Sequence, residues 1–413
     1  MASVLERNLL MDIKLIAQKI KNAGGRLYLV GGAVRDIVLN ITPKDFDYCV
    51  TGLSENEFKE LFPNAFLRGK DFPVFDLEGT EFALARKERK IALGHNGFSI
   101  ETDKSFTIED DLARRDITIN SIAIDVLTNE KIDPFNGVAD CKNQIIRATS
   151  NAFLEDPLRV YRVARFAAQL DFKIDEDTYS LMRSLKKELS TLSAERVFVE
   201  FRKALLSNNP SVFFLTLRKA DCLDTHFKEI YHQIGIEQPL KYHPEGDVFN
   251  HTMEVIERAA LQTNNELIRF AALVHDFGKI VTPKEILPHH YNHENNGDDL
   301  VRTFCNRLKM PTNYKKVGIT SCREHMKAGK YYDLRTATKV DFLAKNSKTI
   351  LGLKGLEIIA NSDKKREKRI EFADIGEKML SAINGKTVKF NGNDYIKLNE
   401  KIRQERIKFL KDF

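Results

Sequence analysis

One stretch, residues 27–50, leaves this chain little freedom in how it begins to fold. It runs LYLVGGAVRDIVLNITPKDFDYCV. The apolar run Leu27-Tyr28-Leu29-Val30 predicts a buried strand. Gly31-Gly32 break it, a helix is expected over Ala33–Leu39, a turn containing Pro43 follows, and a second strand is expected from Phe46 to Val50. Asp45 and Asp47 stand at the mouth of that strand, where side chains two apart share a face. Two carboxylates held together disfavour each other's charge, and a divalent cation between them removes the conflict. Paired glycines let a phosphate reach the backbone, because no Cβ stands in the way. The helix start aims N–H groups at an anion, and Arg35 adds a guanidinium. Each part alone is a common structural device. Together, within roughly twenty residues, they describe a metal-using site for a nucleoside triphosphate.

The chain has 413 residues, too many for one compact core, and two to four domains are expected. With 42% apolar and 30% charged residues it has the composition of a soluble globular protein. A net charge of +6 and a pI near 8.8 permit a polyanionic partner such as RNA without demanding one. Cys49, Cys141, Cys222, Cys305 and Cys322 are dispersed and form no C-x-x-C, which predicts free thiols in a reducing compartment. No apolar run approaches membrane-spanning length. Residues 1–25 carry charges among their apolar positions and predict an amphipathic helix ending at Gly24-Gly25 rather than a signal peptide. A cytoplasmic protein is expected.

Residues 26–148 mix strand and helix signals. EFALARKERKIALGHNGFS is basic and predicts a solvated loop. In TIEDDLARRDITINSIAID the spacing before Asp116 is helical, and the alternation after it predicts a strand. From about 149 the strand signals fade. Asp156 is a good N-cap, with Pro157 at the first helical position. Arg159, Arg162 and Arg165 recur every three residues as a basic stripe. Asp156 and Arg159 can also face the same way. An aspartate only accepts hydrogen bonds and an arginine only donates them. Cytosine and adenine each present an amino donor beside a ring-nitrogen acceptor, whereas guanine and uracil present the reverse. One Asp–Arg pair could therefore accept C and A and reject G and U without a nucleic-acid template. Residues 171–240 are helical by pattern.

A second centre begins near 241. His251 lies in one helical stretch and His275-Asp276 in the next, in LIRFAALVHDFGK. Imidazole and carboxylate suit a divalent transition metal that activates water. Asp363, in LEIIANSDKK, best completes the set. Lys279 could contact phosphate. His290, His293 and His325 are surplus, and they would support a second metal, hold a substrate phosphate or lie on the surface. The last residues form basic amphipathic stretches, KKREKR and EKIRQERIKFLKDF, expected as solvated helices or an RNA-contacting tail with salt-dependent binding.

The string GGAVRDxxLN…KDFD resembles the active-site signature of the polymerase β-like nucleotidyltransferases, in the class of the bacterial CCA-adding enzymes and poly(A) polymerases. RRDITIN is similar to that family's second motif, DPFNGVADC to its third, EDPLRVYRVARF to its fourth and SAERVFVEF to its fifth. The H…HD…D pattern resembles the HD phosphohydrolase domain. The resemblance implies an α+β head with a polymerase β-like mixed sheet, then an all-α neck and body and an all-α HD domain. The expected divisions are an N-terminal helical extension (1–25), the head (26–148), the neck and body (149–240), the HD domain (241–365) and a basic helical tail (366–413). By the same resemblance, Asp45 and Asp47 are catalytic and hold two Mg²⁺ ions. Gly32, Arg35 and Arg115 bind phosphates. Asp116 and Asn120 lie near the ribose, Asp156 and Arg159 read the base, and Arg162 lies closer to phosphate or ribose. His251, His275, Asp276 and Asp363 hold the HD metal, with nickel favoured. The implied partners are tRNA, CTP and ATP, with the chain a monomer or a homodimer. The implied activity is template-free addition of CCA to tRNA, together with phosphatase, 2′-nucleotidase and 2′,3′-cyclic phosphodiesterase activity. A poly(A) or A-only polymerase is the first alternative, disfavoured by the complete segment at 84–98. An RNA-binding phosphohydrolase is the second.

Overall fold

A computed structural model describes residues 4–68, 74–90, 98–365, 367–390 and 394–412. Its two compact units are residues 1–192 with 219–222, and residues 193–218 with 223–413.

The first unit opens with α1 (Val4–Asn22), β1 (Arg26–Val30), α2 (Gly32–Val38), β2 (Asp47–Thr51) and α3 (Glu55–Leu61). It continues through β3 (Phe66–Arg68), β4 (Val74–Leu77), β5 (Thr80–Leu84), β6 (Arg86–Lys90), β7 (Phe98–Thr102), α4 (Ile108–Ala113), β8 (Ala123–Asp125), β9 (Lys131–Ile132) and α5 (Gly137–Asn143). Seven strands form one mixed sheet in the order β3-β4-β5-β2-β1-β8-β9, with β2 and β5 parallel. Side chains alternate across it, as the pleat requires. Leu27, Tyr48 and Val50 join Phe58, Phe75 and Phe82 on one face, which α1 and α3 cover through Ile13, Ala17 and Phe62. Tyr28, Val30 and Cys49 join Ile108 and Leu112 of α4 on the other. Asp47 lies two residues before Cys49, so it belongs to the α4 face.

Two local expectations are corrected. The basic segment expected as a loop pairs as an antiparallel hairpin, Arg86 opposite Thr102 through Lys90 opposite Phe98. Residues 91–97, between the two strands in sequence, lie outside the described residues. ITINSIAID is not one strand. Residues Thr118–Asn120 form a 3₁₀ turn before β8. Thr118 Oγ1 donates to Asp140 Oδ2 at 2.6 Å and Ser121 Oγ to the Ile117 carbonyl at 3.0 Å, and these side-chain bonds compete with a ladder. The first unit closes with β10 (Ile145–Ile146), α6 (Leu158–Leu170), β11 (Lys173–Ile174) and α7 (Glu176–Ser184), with β10 and β11 paired in parallel.

The second unit is helical: α8 (Ala194–Leu205), α9 (Pro210–Lys219), α10 (Lys228–Tyr231), α11 (Val248–Ala260), α12 (Glu266–Val274), α13 (His293–Arg307), α14 (Thr312–Gly329), α15 (Thr336–Asn346), α16 (Gly352–Asp363), α17 (Ala373–Ala382) and α18 (Tyr395–Lys411). Phe201, Phe213, Phe214, Phe227 and Phe304 form a cluster of edge-to-face and tilted rings with centroids 5.3–6.4 Å apart. Such contacts add to the burial itself and bind the helices after 193 to the bundle, so the division by compactness falls at 192. The basic α18 packs on α15 and α17, buries Ile402, and pairs Arg403 with Asp341 at 2.8 Å. All five cysteines are buried and none forms a disulfide. No described helix is long and apolar enough to cross a membrane.

Candidate functional site

β1 ends at Val30, which pairs with Asp47, the first residue of β2. Strand pairing stops there because Gly31 (φ 73°, ψ −137°) turns the chain away. The second strand therefore begins at Asp47, not Phe46, and Asp45 lies in the turn before it. The two carboxylates still feel each other. Partial loss of water raises the Asp47 pKa, the Arg115 charge lowers it and the Asp45 charge raises it. Asp47 and Glu81 are register partners on the parallel β2–β5 pair, so they share a face. A cleft of about 980 Å³ runs beside them, bounded by Lys19, Lys44, Asp45, Asp47, Glu78 and Glu81. Its carboxylates are hard oxygen donors, which fit Mg²⁺.

Gly31 matters more than Gly32. A Cβ on Gly31 would lie 3.0 Å from Arg115 Nη1 and 3.8 Å from Asp47 Oδ2, whereas one on Gly32 would meet only Arg35, at 3.5 Å. The turn, Arg115 and Asp47 therefore converge on one spot. Arg115 is held from behind. The fully buried Asp111 accepts Arg115 Nε at 3.3 Å and Nη2 at 2.9 Å on one oxygen. Its other oxygen accepts Arg114 Nε at 3.0 Å and Nη2 at 2.5 Å. Burial alone would raise the Asp111 pKa, but the two guanidinium charges hold it at about 2. Sequence reasoning missed Asp111, although an acid three and four residues before two arginines on a helix is the signal for it. Arg35 lies on α2 as expected. Its Nη1 donates to Asn120 Oδ1 at 2.8 Å and its Nε and Nη2 to Asp36 Oδ1 at 3.0 and 2.8 Å, bracing the second motif.

Asp116 is buried. Desolvation would raise its pKa, but the charges of Arg162 and Arg159 bring it to about 2. It accepts Arg162 Nε at 2.7 Å, Asn120 Nδ2 at 3.3 Å and the Ile117 N–H at 2.9 Å. Arg162 thus ties α6 to the second motif. Asp156 accepts the Leu158 N–H at 3.0 Å, starting the helix, which begins at Leu158. Arg159, also buried, donates through Nη1 to the Ala152 carbonyl and through Nη2 to the Arg114 carbonyl at 2.6 Å.

In the second unit, α11, α12 and α16 pack together and bring His251, His275, Asp276 and Asp363 within 4.8 Å of one another. His251 Nε2 is 3.1 Å from Asp363 Oδ1 and 3.5 Å from Asp276 Oδ2, and His275 Nε2 is 3.3 Å from Asp276 Oδ2 and 3.5 Å from Asp363 Oδ1. Neither His275 Nε2 nor either Asp276 oxygen has a well-aligned hydrogen bond, although all are buried. That is the environment a cation would complete. Burial pushes the His275 imidazole down, but Asp276 and Asp363 hold its pKa up at about 10. Lys279 Nζ lies 2.6 Å from Asp276 Oδ2 and 2.6 Å from Gln238 Oε1. Glu245, unmarked in the sequence, accepts His251 Nδ1 at 2.6 Å and orients the ring. Of the surplus histidines, His293 and His325 join the cluster. His290 does not, bonding Thr282 Oγ1 at 2.7 Å and the Glu237 carbonyl at 3.0 Å.

Residues 27–147 match the Poly A polymerase head domain, 171–233 the probable RNA and SrmB-binding site of polymerase A, and 248–354 the HD domain. A multifunctional CCA protein of Mannheimia succiniciproducens is 45% identical over 330 residues, 77% of this chain and 78% of that one. That of Pasteurella multocida is 45% identical over 326 residues, 76% of this chain and 77% of its own. Among solved structures, the Thermotoga maritima CCA-adding enzyme complexed with tRNA aligns with a TM-score of 0.66 at 20% identity, over 100% of this chain and 93% of that one. A CCA-adding enzyme in complex with ATP aligns at 0.64 and 21% identity, over 99% of this chain and 90% of that one. These structures share the fold of a mixed-sheet head followed by helices. The chain belongs to the multifunctional CCA proteins, the long-form nucleotidyltransferases that carry an HD domain.

Proposed function

We propose that this protein builds and repairs the 3′-terminal CCA of tRNA from CTP and ATP, without a nucleic-acid template, and acts in the cytoplasm. The observation that carries the reading is the convergence of Asp47 and Arg115 on the Gly31 turn, with Asp45 near enough for its charge to raise the Asp47 pKa. The tRNA 3′-oxygen attacks the α-phosphorus of the incoming nucleotide, the α–β bridge breaks, and pyrophosphate leaves. Mg²⁺ ions, when bound, would supply positive charge for the attacking oxygen and the triphosphate. Asp45 and Asp47 would hold them, with Glu81 as a third carboxylate on the same face. Arg115, locked by Asp111, would receive the phosphates beside a turn with no side chain in the way. Asp156 and Arg159 would select C and A, the arginine's fork already fixed on two carbonyls. Arg162 would act through Asp116 rather than on phosphate directly.

The helical unit would be a metal-dependent phosphohydrolase acting on 2′,3′-cyclic phosphates and 2′-nucleotides, with nickel as the favoured metal. A transition metal at His251, His275, Asp276 and Asp363 would supply an activated water. The relatives named for CCA addition, and the solved complexes with tRNA, ATP and CTP, support the first activity. The HD match and the buried His–Asp cluster support the second.

The test is incubation with tRNA lacking its 3′ terminus, Mg²⁺, CTP and ATP, followed by sequencing of the 3′ ends. CCA ends and nothing longer are expected. A single A or a long A tail would refute the reading. Asp47→Ala should abolish addition and leave phosphohydrolysis. Loss of both activities in a folded variant would show that the two sites are not separate.

A further inference from the structure

We propose that Tyr242, Lys241 and Lys364 form a subsite beside the His–Asp cluster for a nucleobase and its phosphodiester, so that the helical unit prefers the end of an RNA chain to a free mononucleotide. This rests on the phosphohydrolase reading above and deepens it.

Residues 238–245 form a loop pinned to the cluster at both ends. Gln238 Oε1 accepts Lys279 Nζ at 2.6 Å, and Glu245 Oε1 accepts His251 Nδ1 at 2.6 Å. Between these anchors the chain turns, with the Tyr242 and His243 N–H groups both donating to the Pro239 carbonyl, at 2.9 and 3.0 Å. His243 goes inward, its ring edge-on to that of His251 with centroids 4.7 Å apart. Tyr242 goes outward and is 58% exposed. A loop so short and so anchored keeps Tyr242 near the cluster.

The cluster opens on that side. The His251, His275 and Asp276 side chains are 0–2% exposed, whereas Asp363 is 15% exposed. Glu245 and His243, beside His251, are each 11% exposed. Asp363 ends α16, and Lys364, the next residue, places Nζ 5.5 Å from the centre of the Tyr242 ring. Lys241 Nζ is 5.5 Å from the same centre. Two segments distant in sequence thus bring an aromatic ring and two ammonium groups to the mouth of the cluster.

Among the described residues neither lysine has a carboxylate partner, so both charges are available to an anion. An exposed ring beside such cations is the chemistry that holds single-stranded nucleic acid: the ring stacks a base of any identity and the cations take the backbone phosphate. A sugar phosphate would leave the ring unused. A nucleoside 2′,3′-cyclic phosphate has one phosphate, which the cluster takes, and the two ammonium groups then have no anion. A dinucleotide or a longer end supplies the second phosphate for the lysines and the preceding base for Tyr242.

The experiment uses the full chain loaded with Ni²⁺ and two substrates, adenosine 2′,3′-cyclic phosphate and the adenylate dinucleotide ending in the same cyclic phosphate. The dinucleotide KM is expected to be at least tenfold lower. The ratio should fall to near one in Tyr242→Leu and persist in Tyr242→Phe, which keeps the stacking face. It should also lose most of its salt dependence when Lys241→Gln and Lys364→Gln are combined. In parallel, a dinucleotide with 2-aminopurine as its first base should lose fluorescence on binding to the parent and to Tyr242→Phe, but not to Tyr242→Leu. Equal KM values in the parent, or a ratio unmoved by Tyr242→Leu, overturn the subsite and leave the phosphohydrolase standing. If neither substrate is hydrolysed, the phosphohydrolase reading fails, and the fluorescence alone decides the subsite: quenching that is the same in the parent and in Tyr242→Leu overturns it.

Discussion

Replacing Asp111 by Asn tests whether Arg115 is positioned from inside the head. The fully buried carboxylate receives four N–H contacts from Arg114 and Arg115 at 2.5–3.3 Å. Asparagine keeps the shape but offers one oxygen, and it turns an NH₂ toward a guanidinium. Two cations are then left without their counter-charge. Removing one member of a buried ion pair costs about 3–5 kcal/mol, and the head's melting temperature should fall by roughly 10 °C. Arg115 would no longer be held beside the Gly31 turn, so the KM for CTP and ATP should rise at least tenfold. The phosphohydrolysis proposed for the other unit serves as the internal control. A differential scanning trace and steady-state addition kinetics suffice. An Asp111→Asn chain that melts within 2 °C of the parent and binds nucleotide normally would refute the positioning argument.

Gly31→Ala should cost about 2 kcal/mol, because φ 73° with ψ −137° is a glycine conformation and the new Cβ would press on Arg115 Nη1 at 3.0 Å. Chemical denaturation and nucleotide KM would both register it, and a neutral result would mean the turn is not strained. Arg159→Ala should blur the choice of C and A over G and U more than it weakens tRNA binding, and an unchanged preference in a four-nucleotide competition would return Asp156 and Arg159 to a structural role. Asp111 and Asp116 are held at about 2, below an unfolded value of about 3.9. A depressed folded pKa gives stability that is present above pH 4 and lost as pH falls toward 2, about 2 kcal/mol for each group. Melting temperatures recorded from pH 6 to pH 2.5 should be flat above 5 and fall below 4. A head equally stable at pH 3 and pH 6 would contradict this.

The strand–turn–helix around Gly31 was legible because glycines and apolar period are local signals. Asp363 was legible only as the best remaining acid, and the fold sets it beside His251 across 112 residues. Other contributors were hidden for physical reasons. Asp111 stands at the right spacing from Arg114 and Arg115 but beside Glu109 and Asp110 in the same first turn, and only the fold shows that it is the acid fully buried under both arginines. Glu245 lies in a turn, and only the packing of α11 turns His251 toward it. The Arg35–Asn120 bond joins residues 85 apart, beyond any spacing rule. The basic segment at 81–99 was expected as a loop because charge suggests solvent, while the pairing of 86–90 with 98–102 uses backbone groups that charge does not reveal.

The two carbonyl anchors of Arg159 bear on fidelity. Immobilising an arginine costs about 2 kcal/mol of rotamer entropy. Here the Ala152 and Arg114 carbonyls impose that order as the chain folds, before a nucleotide arrives. Under the proposed base-reading role, a side chain already still at encounter does not adjust to a mismatched base, so the wrong nucleotide would bear the full cost of its unmet hydrogen bonds, tenfold for every 1.4 kcal/mol. The same stillness sets a limit. A side chain pinned on both arms presents one face in every round, so a change of preference from the first nucleotide to the last must originate in a part of the site that moves.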